Sequence, residues 1–179
     1  MLMKFNVFFL VFFAILISCG EPLARRPKKK GVTNFYKEVL ERNKKLNRLE
    51  KNRIEAWILK DTAHKYEESS YGYWYFYENK DSLNSYVPKL NDIVNIEYDI
   101  KNIDGTIIYD KIKKTYKVDK EDFIPALQEG IKQMKKGDIV TFIIPSYRAF
   151  GVSGDGHKIG TNQSIKSTIK LIDIKTNQQ

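Results

Sequence analysis

A single cysteine, Cys19, leaves this chain of 179 residues without an internal partner for a disulfide. Its only histidines, His64 and His157, lie far apart and lack ligand spacing, so a metal centre built on His and Cys is excluded. No serine sits in a G-x-S-x-G context, which removes the nucleophile elbow of one large hydrolase class. Residues 151–160, GVSGDGHKIG, contain G-x-x-G-x-G but follow no strand-then-helix pattern. A mobile flap beside a pocket is expected there, not a phosphate loop. No cofactor is expected. No glycine or proline occurs between Gly31 and Gly72, and no apolar run reaches the about 20 residues that cross a bilayer comfortably.

The longest apolar run, residues 5–17, follows Lys4, is broken only by Asn6, and ends in Leu16-Ile17-Ser18-Cys19-Gly20. It fits a secretory signal. The end resembles a bacterial lipobox, with a leucine three residues before a cysteine and a small residue directly before it. Cys19 is accordingly expected to begin the mature chain and carry lipid; the alternatives are a simple cleaved signal or a short uncleaved anchor. Gly20, where an aspartate retains some lipoproteins at the inner membrane, favours the outer one.

The net charge of +9 is concentrated at this end, where Lys4, Arg25, Arg26, Lys28, Lys29 and Lys30 face one acid, Glu21. Residues 19–32, with Pro22 and Pro27 and no apolar period, read as a basic tether, either a solvated spacer or an aid to binding anionic headgroups. Nucleic acid, the other usual partner of a basic run, is excluded for an exported chain.

From 33 to 70 the apolar residues thin out to Phe35, Val39, Leu46, Leu49 and Trp57, with a second row at Leu40, Ile54 and Ile58. One long helix ending near Lys60 is expected, with a stripe too thin to bury itself. Its partner is either its own domain or a second copy in a homodimer. The remainder is 71–179. With 42% hydrophobic and 13% aromatic residues the chain can build a real core. Tyr71-Gly72-Tyr73-Trp74-Tyr75-Phe76-Tyr77 is expected as a core strand whose alternate rings serve two packing surfaces; the other reading is an exposed aromatic platform. Val94, Ile96, Tyr98 and Ile100 alternate with Asn95, Glu97 and Asp99, a half-buried strand. Asp104-Gly105 supplies turn chemistry before residues 107–110 return. Ile124, Leu127, Ile131 and Met134 mark one face of a short helix led by Pro125 and closed by Lys135, Lys136 and Gly137. Residues 139–144 are apolar on nearly both faces, as in a strand inside a sheet. Ile165, Ile169 and Leu171 form a last strand, with Ile172 and Ile174 on its other side.

FIPALQEGIKQMKKGD and IPSYRAFG resemble the V-I-P-G-W-x-E-G-L-x-x-M-x-x-G and I-P-P-x-x-A-Y-G motifs of FKBP-type peptidyl-prolyl isomerases. The hairpin of residues 94–110 resembles that family's V-x-Y-x-G-x-L-x-D-G-x-x-F-D. The resemblance covers residues 71–175 and implies an α+β fold, a curved antiparallel sheet wrapped around a short helix. It implies a slot lined by Tyr98, Tyr109, Phe123, Ile124, Leu127, Phe150 and Ile159, with Asp110 positioning polar groups and the Ile124 N–H donating to a substrate carbonyl. Four positions depart from the pattern. Leu127 replaces a tryptophan floor, Phe150 a tyrosine hydroxyl, Ser167 a pocket phenylalanine, and Lys114 the first aromatic of F-x-F.

Prolyl isomerisation needs no nucleophile, which suits these residues. The expectation is a membrane-anchored isomerase acting on proline-containing segments of exported polypeptides. Its rival is a catalytically weak FKBP-fold chaperone or assembly module of a surface or gliding machinery, as in lipoproteins of this type from the Bacteroidetes.

Overall fold

The computed structural model describes residues 31–80 and 85–176; the expected signal, the expected lipidation site Cys19 and the tether up to residue 30 lie outside them, while residues 31 and 32, expected in the tether, begin a helix. Contacts divide the chain after Leu40, and residues from Glu41 onward form one compact unit. Helix α1 is Gly31–Ile58. The strands are β1 (Glu67–Glu68), β2 (Trp74–Asn79), β3 (Ile93–Lys101), β4 (Ile107–Lys117), β5 (Ile139–Ile144) and β6 (Ile165–Lys175), with helix α2 (Pro125–Ile131) between β4 and β5. They build one six-stranded sheet in the order β1-β2-β5-β6-β3-β4. Every pairing is antiparallel. The α+β architecture expected from the sequence is the one observed.

The period-2 patterns explain the two faces. Tyr73, Tyr75 and Tyr77 pack on the main core with Val94, Ile96, Val140, Phe142, Ile169 and Leu171, over which α2 places Ala126, Leu127 and Ile131. Trp74 turns to the opposite face, where Ile143 and Ile54 of α1 bury it among Trp57, Ile58 and Tyr66. Phe76 points the same way and meets Tyr66 edge-on at 5.0 Å. The aromatic run from Tyr73 onward is therefore core, not a platform, whereas Tyr71, in the turn before β2, is 48% exposed. From Glu41 onward α1 covers its own domain: Ile54 is 1% exposed, whereas Leu46 and Leu49 on the same helix stay open to solvent.

Helix α2 is shorter than its apolar period suggests. It ends at Ile131, and Lys132 takes the cap position in right-handed conformation. Met134 is buried nonetheless, because the chain continues in turns across the same core. Gly137 has φ of 96°, as a left-handed stop requires, but it serves the turn into β5, donating its N–H to Leu171 O at 2.8 Å. Gly130 is needed for a different reason. A Cβ there would lie 2.5 Å from Phe142 Cε1, so only a bare backbone lets α2 approach the sheet this closely.

Bulges or irregularities in the β3–β4 and β3–β6 ladders rewrite the alternation. In the β3–β4 ladder Tyr98 pairs with Ile112 but Ile100 with Tyr109, two residues against three. Asp99, expected on a solvated face, is 7% exposed and paired with Lys101 Nζ at 2.6 Å. Its carboxylate also accepts the Thr168 N–H at 3.0 Å. In β6 a shift opposite Asn95 and Ile96 returns Ile174 to the core while Ile172 stays exposed, so these two do not share a side.

Candidate active site

Three segments converge on a cleft of about 280 Å3. β3 contributes Tyr98 and Ile100, the approach to α2 contributes Asp122, Phe123, Ile124 and Pro125, and the loop after β5 contributes Ala149 and Phe150. The ring of Phe123 is the hub. It meets Tyr98 edge-on at 5.2 Å between centroids and lies tilted against Tyr116 at 5.5 Å. Such pairs add about 0.5–1.5 kcal/mol beyond area burial and fix the rings in angle as well as place. Lys114, standing where the family pattern has an aromatic, brings its Nζ within 5.7 Å of the Phe123 centroid, a cation over a ring.

Proline at the first position of α2 explains the cleft's floor. Pro125 has no N–H to lose there, and Ile124 ahead of it adopts extended backbone at φ −59° and ψ 120°. The Ile124 carbonyl accepts from Leu127 N at 2.9 Å and Gln128 N at 3.0 Å, while among the described residues no acceptor is bonded to its N–H. Gln128 turns its side chain back and donates Nε2 to Phe123 O at 3.0 Å, pinning the carbonyl next to this free donor. Burial alone pushes the Tyr98 phenol up from its ordinary pKa. The cleft thus offers apolar walls, one free backbone donor and one phenol. Asp122 is the one carboxylate among its lining residues, which include no serine, cysteine or lysine.

The residues that the resemblance placed in the slot are divided by the structure. Tyr98, Phe123, Ile124 and Phe150 come together. Leu127 and Ile159 are buried in the core cluster behind them. Tyr109 is half-buried against the same core and donates its hydroxyl to Asp155. Asp110 does not enter the slot. The bulge opposite Tyr98 and Ile100 aligns Tyr109, not Asp110, with inward-facing Ile100, and the carboxylate is exposed, accepting among the described residues its neighbour's N–H, from Lys111 at 2.8 Å. The cost of burying a charge, which made Asp110 conspicuous in the sequence, does not arise. Ser167 is buried and donates Oγ to Asp99 O at 2.6 Å, stitching β6 to β3.

The carboxylate that does organise this side is Asp155, which sequence reasoning passed over inside the glycine-rich stretch. Besides Tyr109 it accepts the N–H groups of His157 and Ile159, each at 2.8 Å. The stretch read as a mobile flap is therefore a closed, hydrogen-bonded turn. Lys158 adds its Nζ 5.1 Å from the Tyr109 centroid. An Asp between two glycines, as here at Gly154 and Gly156, is common in turns, so only the tertiary contact with Tyr109 marks it. That contact, with the two backbone donors behind it, holds the Asp155 carboxyl down at about 2, and pushes the Tyr109 phenol up.

A depressed carboxylate stabilises the fold above its ordinary value of 3.8 and loses that contribution as pH falls through about 2. Proton titration followed at Asp155 is expected to show its midpoint near 2, with the Ile159 amide losing protection over the same range. A midpoint at the ordinary value would mean that the turn is not tied to Tyr109.

Residues 85–172 match the FKBP-type peptidyl-prolyl cis-trans isomerase family. A probable FKBP-type peptidyl-prolyl cis-trans isomerase FkpA of Neisseria meningitidis serogroup B is 37% identical over 92 residues, 49% of this chain and 33% of that protein. The peptidyl-prolyl cis-trans isomerase Mip of Coxiella burnetii is 30% identical over 92 residues, 49% of this chain and 39% of Mip. The chain's match thus spans well under half the length of these curated relatives. The crystal structure of FkpA from Escherichia coli superposes with a TM-score of 0.60 over 79% of this chain and 65% of that one, at 24% identity. A peptidyl-prolyl isomerase structure from Pseudomonas syringae pv. tomato gives 0.59 over 72% and 96%, at 20% identity. These two likenesses establish the fold. With its extended Ile-Pro entry to a short helix, its aromatic cleft and this match, the segment of residues 85–172 is an FKBP-type peptidyl-prolyl cis-trans isomerase domain, homologous to those of FkpA and Mip.

Proposed function

We propose that the cleft accelerates cis/trans isomerisation at proline in segments of exported polypeptides, and that a lipid on Cys19 holds the chain at a membrane, the outer one by preference. The observation that carries the catalytic part is the free Ile124 N–H set among the rings of Tyr98, Phe123 and Phe150. An X-Pro amide is kept planar by resonance behind a barrier of ~18–20 kcal/mol. Twisting it returns the lone pair to nitrogen and reduces charge separation, so a dry apolar cleft favours the twisted form over the planar one. The Ile124 N–H donates to a substrate carbonyl and fixes the peptide while the imide turns. Phe150 has no hydroxyl to donate from the opposite wall; the Tyr98 phenol is the group in the cleft able to supply a second donor.

The test is exchange of a prolyl tetrapeptide followed with the full chain. Acceleration is expected in the wild type, with a fall of about threefold to tenfold in Tyr98→Phe, the worth of one hydrogen bond in the transition state. Exchange at the uncatalysed rate would instead favour the second reading, a chaperone or assembly module using the cleft as a peptide-binding surface. Its support is the set of departures at Leu127, Phe150, Ser167 and Lys114. Labelling with palmitate, lost in Cys19→Ala, tests the anchor, and equal labelling would remove it. Among the described residues no helix is long and apolar enough to cross a membrane. Pairing of two chains through the exposed α1 residues Leu46 and Leu49 belongs to the same reading, and a sedimentation mass of one chain would remove that part.

A further inference from the structure

We propose that Glu50 of α1 is a positioning residue for the cleft, holding the loop that carries Phe150 from a helix outside the matched segment. The proposal rests on the reading of the cleft as the isomerase site. Glu50 is half-buried, and its two oxygens are taken by two loops distant in sequence. Oε1 accepts the Ser146 N–H at 2.6 Å and the Ser164 hydroxyl at 2.5 Å, and Oε2 accepts the Ser146 hydroxyl at 2.8 Å. Ser146 begins the single 3-10 turn that follows β5, Ser146–Arg148.

The arrangement is a chain of contacts with one outlet. Glu50 fixes Ser146 by both of its donors, and the Ser146 carbonyl in turn gathers the N–H groups of Ala149 at 2.9 Å and Gly151 at 2.8 Å. Those two residues flank Phe150, and Ala149 and Phe150 are one wall of the cleft. The Gly151 carbonyl then accepts from Asn162 N at 2.9 Å, two residues before Ser164, which returns to Glu50. The wall is thus closed into a ring of hydrogen bonds whose only member from α1 is a carboxylate.

A purely structural role for this position has an obvious form on the same helix. Ile54, four residues on, packs against Trp74 and Ile143 and has only apolar contact to offer. Glu50 makes directional bonds instead, and bonds to an ionised acceptor are shorter and stronger than neutral ones. Small displacements of a positioning group are expensive in catalysis, since reactive geometry is lost before binding is. Loosening Ser146 therefore moves the Phe150 wall while the core under it stays packed.

The experiment compares prolyl tetrapeptide exchange in full-length Glu50→Ala, Glu50→Gln and Ile54→Val, each beside its melting temperature. Glu50→Ala is expected to lower kcat/KM about tenfold, mostly in kcat, and to free the Ser146 amide for hydrogen exchange. Glu50→Gln keeps one carbonyl acceptor and should recover part of both. Ile54→Val should lower the melting temperature with kcat and KM unchanged. The proposal is overturned if Glu50→Ala and Ile54→Val lose activity only in proportion to their lost stability, or if Glu50→Ala keeps wild-type kcat/KM. Should the wild type itself catalyse nothing, the isomerase reading fails while Glu50 is still decided by the Phe150 ring resonances. A shift in Glu50→Gln supports the positioning role, and unchanged resonances overturn it.

Discussion

Truncation of Leu127 to alanine is expected to cost about 2–5 kcal/mol of stability, the range for emptying a leucine site that cannot collapse. Leu127 is 0% exposed and sits where α2 meets the sheet. Two features prevent relaxation. Helix α2 has only seven residues, and its next turn is already in contact with Phe142 through Gly130, leaving it no room to settle into the void. Urea unfolding of the variant should show a lower midpoint with unchanged slope. A loss below about 1 kcal/mol would mean that the site collapses and that α2 is not rigidly seated. The place of the tryptophan in the family pattern is filled here by a residue of the core, and the aromatic surface of the cleft comes from Phe123.

Phe123→Ala should have the largest effect on exchange. The side chain is only partly buried, so its removal leaves most of the core in place. It nevertheless joins the Tyr98 ring to the Tyr116 ring, and without it the contact that orients Tyr98 is lost. Losing roughly 2 kcal/mol of apolar contact in the transition state corresponds to a drop of about 30-fold in kcat/KM. The matched control is Asp110→Ala, whose exposed carboxylate should change the rate less than about twofold, within the range of ordinary surface substitutions. Equal effects from the two substitutions would place the working surface nearer β4 than the rings indicate.

Much of the scaffold was legible because its signals are local. The alternation of Tyr73, Trp74, Tyr75, Phe76 and Tyr77 announced a strand with two buried faces, and the structure assigns one face to α2 and the other to α1. Ile124, Leu127, Ile131 and Met134 fell on one helical face and all are buried, although the helix itself stops at Ile131. The proline at the first helical position marked the entry to that helix, Phe123-Ile124-Pro125, and the family resemblance placed the site there. Bulges carry no such signature. One of them turned Asp110 outward, and another brought Ile174 back to the core, each by shifting a register that strict alternation cannot reveal.

The sequence by itself determined the α+β class and the chain order of the short helix and five of the six strands, because periods of 2 and 3.6 residues and the stereochemistry of proline act over a single turn or strand; the aromatic cleft was legible only through the family resemblance. The tertiary structure alone decided which carboxylates matter. Asp155 reaches Tyr109 across 46 residues and Glu50 reaches Ser146 across 96, and no local pattern distinguishes them from the other acids of the chain. A charged side chain declares its purpose only through the partner that compensates its desolvation, and that partner is chosen by the fold.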